Sequence, residues 1–114
     1  MEYLLLIYGD PATAPAFDSP EGQAQHAGWM RFTDEVADRT LAGAALQPAT
    51  TATTVRTGKG ETLTLDGPFA ETKEVLGGFY LVDVPDLDAA LAMAEQASSI
   101  GGNAVEVRPR MTFD

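Results

Sequence analysis

The chain has 114 residues, 45 % of them apolar, with no cysteine and a net charge of −10 from 17 acids against 7 bases. That length fits one domain, residues 1–114, with a modest core. The composition excludes disulfides and thiolate metal sites, and an acidic chain with scattered bases is a poor partner for nucleic acid or anionic membranes, whose phosphates require clustered Lys and Arg.

Residues 3–8 are apolar on both faces, as in a central strand, and Gly9-Asp10-Pro11 ends them. The opening run carries the acid Glu2 and is too short for a secretion signal, and no run approaches the roughly 18 apolar residues of a membrane span. A soluble, cytoplasmic protein without membrane contact is therefore expected. Ser19-Pro20 reads as an N-cap followed by proline at the first helical position. A helix is expected over residues 21–42, with Gly43 as its stop. On a helical wheel Trp29, Phe32, Val36, Ala37 and Leu41 share one arc, while Arg31, Asp34, Glu35, Asp38 and Arg39 lie opposite.

Residues 46–48 read as a short extended piece. Residues 51–57 are rich in β-branched side chains, Gly58-Lys59-Gly60 is a tight connection, and residues 61–65 alternate Leu with Thr, which together signal a hairpin. Residues 79–84 form the next strand, Asp86 caps a helix over residues 87–98, Gly101-Gly102 closes it, and residues 103–108 are the last strand. The order β-α-β-β-β-α-β predicts an α+β fold, a ferredoxin-like split βαβ sandwich with an antiparallel sheet and two helices on one face. Tyr80, Val82 and Val84 alternate with Phe79 and Leu81, so both faces of that strand are apolar. Two helices cover one face, and a second copy of the sheet is the expected cover for the other, making a homodimer.

The polar chemistry concentrates in the segment from Leu65 through Asp66-Gly67-Pro68-Phe69-Ala70-Glu71-Thr72-Lys73-Glu74. Asp66 ends a strand at a Gly-Pro turn. Its carboxylate either caps its own turn amides or serves as a general base or hydrogen-bond acceptor. Glu71, Lys73 and Glu74 are a solvated charged turn or the rim of a pocket, with Lys73 the cation that would hold an anionic group. His26, the single histidine, falls on the inward arc near Trp29, as a packed imidazole or as an acid–base group. One histidine and no cysteine provide no metal-ligand set. No cofactor motif is visible, since Gly58-Lys59-Gly60 lacks the strand–loop–helix context of a phosphate loop. A small ligand is expected where the turn meets the first helix, between Asp66, Phe69, Glu71 and Lys73 on one side and His26 and Trp29 on the other. The acidic chain favours a polar or cationic molecule over a polyanion.

The segment Asp66 through Glu74, followed by Gly77-Gly78-Phe79-Tyr80, resembles the motif of the DGPFAETKE branch of the YCII-related (YciI-like) family. The run from Tyr3 to Asp10, Leu46-Gln47-Pro48, Ala52 to Arg56, and Val105-Glu106-Val107-Arg108-Pro109 follow in that family's order. The resemblance implies a small cytoplasmic protein with a dimeric α+β barrel and an undefined biochemical role. Family members are often encoded beside, or fused to, extracytoplasmic-function sigma factors, so a sigma factor is an implied partner. YciI-like proteins are discussed in terms of a His–Asp site pair, which puts Asp66 forward as a catalytic residue. The first helix, where His26 lies, matches the family less specifically than the signature segment does. Two functions follow: a dimer that binds a small molecule or acts in regulation, and a small acid–base enzyme using Asp66, with or without His26, in the dimer cleft.

Overall fold

A computed structural model describes residues 1–68 and 72–113. Strand β1 (Glu2–Gly9) leads into helix α1 (Pro20–Glu35), then β2 (Thr40–Ala45), β3 (Thr53–Gly58), β4 (Glu61–Asp66), β5 (Val75–Asp83), helix α2 (Leu87–Ser98) and β6 (Ala104–Pro109). Four strands form one antiparallel sheet in the order β2-β5-β1-β6. Among the described residues, strands β3 and β4 pair only with each other. The fold is α+β and ferredoxin-like, as the element order predicts.

Both helix starts follow from their caps. Ser19 Oγ accepts from the Gly22 amide at 3.0 Å, with Pro20 next in line, and Asp86 Oδ1 accepts from the Ala89 amide at 2.9 Å. Each satisfies one amide that the first helical turn cannot pair. The end of α1 departs from the expected residue 42. The helix stops at Glu35, a 3₁₀ turn spans Ala37–Arg39, and residues 40–45 are strand. Ala-rich residues 40–45 have helical propensity, but pairing with β5 decides the matter, because propensity is a weak prior beside a filled sheet ladder. Ala37 and Leu41 therefore leave the helical arc, and both are exposed. Gly43 acts as a close-approach residue in the sheet, since a Cβ there would sit 3.0 Å from the Phe79 carbonyl oxygen. The expected extended piece at residues 46–48 follows β2, whose ladder is prolonged by one bond from the Leu46 amide to the Gly77 carbonyl, 2.8 Å. Strand β5 starts four residues before the expected residue 79, with Gly77 and Gly78 inside it beside a register shift in β1.

One face of the sheet holds the core. Tyr3, Leu5 and Ile7 of β1 and Val82 of β5 are buried there, with Val84 just beyond. They meet Phe32 from α1, the neighbouring Val36, and Ala90, Met93, Ala94 and Ala97 from α2. Among the described residues, no α-helix covers the other face. Its rows run Ala44–Phe79–Leu6–Glu106 and Ala42–Leu81–Leu4–Arg108 across the four strands. Phe79, Leu6, Leu81 and Leu4 are half-buried on it.

The hairpin stands off this body. Its two-residue loop, Lys59-Gly60, has φ of 50° and 78°, the pair of positive values that a type I′ turn needs. Leu63 and Leu65 share a face with Arg56 and Thr54, and remain 54 % and 58 % exposed. The radius of gyration is 16.0 Å, against about 13 Å for a compact domain of this length.

Candidate functional site

A groove lies between helix α1 and the β2–β5 edge of the sheet. The groove encloses about 940 Å³. Its helical wall is Gln25, His26, Trp29, Met30 and Thr33, about two per turn along one side of α1. The opposite wall is β2 from Thr40 to Ala45, and the floor comes from Gly77 to Tyr80 of β5. Asp10 and the loop after β1 close one end, and Lys73 and Glu74 approach β5 from another.

Three rings fix the helical wall. Trp29 lies nearly parallel to Tyr80, with centroids 6.5 Å apart and planes at 19°. Phe32, fully buried, stands edge-on to both, at 6.0 Å and 88° from Trp29 and 5.2 Å and 86° from Tyr80. Such edge-to-face packing places the positive ring edge on a negative ring face. The Tyr80 hydroxyl and Thr33 Oγ1 are 2.8 Å apart, so a hydrogen bond links β5 to α1 at the rim. Trp29 and Tyr80, the two parallel rings on the groove, are half-buried.

Polar groups are few. His26 sits exposed at the rim, with its ring 5.3 Å from Phe17 in an edge arrangement. The Asp10 carboxylate accepts from the Ala12 amide at 2.9 Å, and its carbonyl accepts from the Thr13 amide at 3.1 Å, holding the loop that bounds the groove. The Thr72 hydroxyl donates to the Glu74 carbonyl at 2.6 Å, which shapes the entry to β5 beside Lys73. Among the described residues no group of three or more His, Asp or Glu is placed to hold a metal ion.

Of the residues singled out from sequence, His26, Trp29 and Lys73 line this groove. Asp66 does not. It ends β4 opposite Thr53, exposed, in a hairpin whose base is tied by the Gly67 amide to the Ala52 carbonyl at 2.6 Å and by the Thr54 hydroxyl to the Gly67 carbonyl at 2.8 Å. Phe69 and Glu71 lie outside the described residues. Tyr80, Thr33 and Asp10 are groove residues that the sequence reading passed over. Thr33 carried a usable signal, a hydroxyl one position from Phe32 on an otherwise apolar arc. So did Gly77-Gly78, since paired glycines inside a strand mark a bulge or a close approach.

The family model for the YCII-related domain matches residues 1–114. An uncharacterized protein of Rhizobium meliloti is 38 % identical over 113 residues, spanning 96 % of this chain and 91 % of its own length. The chain belongs to the YCII-related family.

Proposed function

We propose that this member of the YCII-related family, of the branch named for the segment at Asp66-Gly67-Pro68, is a homodimer that binds a small molecule in the groove between α1 and the β2–β5 edge. The observation that carries this reading is the groove itself. Its volume, about 940 Å³, falls within the range of roughly 300–1,000 Å³ typical of ligand pockets, and its apolar walls with a few convergent polar groups match their usual make-up. His26, Asp10, Lys73 and Glu74 would orient a ligand, while Trp29, Tyr80 and the small residues of β2 would supply contact area.

Support for the dimer comes from the helix-free face. Leu4, Leu6, Phe79 and Leu81 form one apolar block across β1 and β5, bordered on β6 by Glu106 and Arg108. A two-fold arrangement that set Glu106 of one copy against Arg108 of the other would have the self-complementarity that an isologous interface needs. The projecting hairpin supports it too, because an isolated two-stranded ribbon is marginal in water. Sedimentation should give about twice the 12.1 kDa chain mass, and a monomer at micromolar concentration would refute the assembly.

Trp29 is the single tryptophan, so tryptophan emission reports on the wall of the groove. In a thermal-shift screen, compounds that raise Tm should also change Trp29 emission. Stabilising compounds that leave it untouched would place the ligand elsewhere. A cytoplasmic dimer that passes its ligand state to a sigma factor is the regulatory form of the same proposal, and ligand-dependent co-sedimentation with such a factor tests it. An acid–base enzyme is the second reading, favoured by an imidazole and two carboxylates on one groove. Within one copy, the carboxylate would come from Asp10 or Glu74. Turnover lost in His26→Gln with binding retained would decide for it.

A further inference from the structure

We infer that the groove selects planar aromatic or heteroaromatic molecules, neutral or cationic, which stack on the wall made by Trp29 and Tyr80. The inference rests on the small-molecule reading above and narrows it to a ligand class. Trp29 and Tyr80 are nearly parallel, at 19°, and both border the groove while remaining half-buried. Phe32 is wedged edge-on behind them, and the Thr33–Tyr80 hydrogen bond ties the rim. The wall is thus held in one orientation before any ligand arrives, which lowers the ordering cost of binding.

The facing side carries little side chain for an independent reason. Strands β2 and β5 approach so closely that a Cβ at Gly78 would lie 2.8 Å from the Ala44 carbonyl oxygen. Gly43 and Gly78, in the register rows that carry Tyr80 and Ala45 on the groove side of the sheet, therefore present little beyond backbone, and open space is left beside the rings. A flat ring fills such a space with contact on its face, whereas a puckered aliphatic ring of equal size meets the wall at fewer atoms. The charges bias the choice further. Asp10 and Glu74 border the groove against the single lysine Lys73, on a chain of net charge −10. Anions are disfavoured there, and a cation gains from the π-faces of Trp29 and Tyr80.

The test uses the whole wild-type protein and four fragments: phenol, its aliphatic counterpart cyclohexanol, benzamidine and benzoate. Binding is followed by backbone amide shifts at groove residues and by Trp29 emission. Phenol is expected to bind about three- to tenfold more tightly than cyclohexanol, the increment that aromatic pairing adds beyond area. Benzamidine should exceed benzoate by at least about threefold. Trp29→Leu, which keeps an apolar side chain but removes the ring, should bring phenol and cyclohexanol together, with the amide spectrum showing that the fold is kept. The wild-type phenol-to-cyclohexanol ratio tests the inference even where that variant does not fold. Equal binding of phenol and cyclohexanol by the wild type, with shifts confined to the groove, would overturn the aromatic selection and leave the small-molecule reading standing. No shift at any groove residue with any of the four would overturn both.

Discussion

Strand β1 of the sheet body and strand β4 of the hairpin both set an apolar side chain at every second position, along one face, yet they meet opposite fates. In β1, Tyr3, Leu5 and Ile7 alternate with Leu4 and Leu6, and the first set is buried because α1 and α2 lie on it. In β4, Leu63 and Leu65 alternate with Thr62 and Thr64, and both leucines stay more than half exposed because no layer among the described residues covers them. Alternation specifies which face a side chain takes, and only a covering layer turns that face into a core.

The sharpest way to break this comparison is to truncate one leucine in each region. Leu5→Ala, at a fully buried position, should cost about 2–5 kcal/mol, whereas Leu63→Ala should change the stability of a dilute single copy by less than about 1 kcal/mol. Urea titrations of the two variants give both values, and equal losses would mean that the hairpin is covered within the chain. The helix-free face lies between these extremes. Leu6→Lys places a charge beside Phe79 and Glu106, where a single copy tolerates it and a buried dimer seam does not, at a cost of about several kcal/mol. The variant should sediment as a folded monomer, and an unchanged dimer would move the seam to another surface.

The hairpin's own integrity depends on its turn. Gly60→Val forces a β-branched residue to the φ of 78° found there, at about 1–2 kcal/mol. Faster amide exchange should be confined to residues 53–66, with the body unaffected. The smallest contrast is between two aspartates. Asp86→Ala removes the cap that bonds the Ala89 amide and should cost about 1 kcal/mol. Asp66→Asn, exposed at the end of β4, should stay within about 0.5 kcal/mol. Any loss of ligand affinity in that variant would then report a site role, contributed to a groove that its own copy does not share with it.

Much of this was legible in the chain. Ser19-Pro20 and Asp86 marked both helix starts because capping is a contact between residues two or three apart. Lys59-Gly60 marked the hairpin because its φ values are a local demand. The uncovered face was legible in Phe79 and Leu81 because strand alternation is strict. Strand β2 was not legible, since residues 40–45 carry small side chains without a strand signature and become a strand only by pairing with β5. The groove was half legible. His26, Trp29 and Lys73 stood out by residue type, while Asp10, Thr33 and Tyr80 joined them only when α1 was laid across the sheet.

By itself, then, the sequence determined the local structure and the family: caps, turn, alternating strands, and the segment from Asp66 to Glu74 that carries the resemblance. Those are short-range choices in which each residue's own backbone preferences and near neighbours dominate the free energy. The tertiary structure alone decided that residues 40–45 are strand, that Asp66 stands apart from His26 within one copy, and that Trp29 and Tyr80 form a wall. These outcomes depend on contacts between segments distant in sequence, whose energies are set by how closely β2, β5 and α1 approach one another.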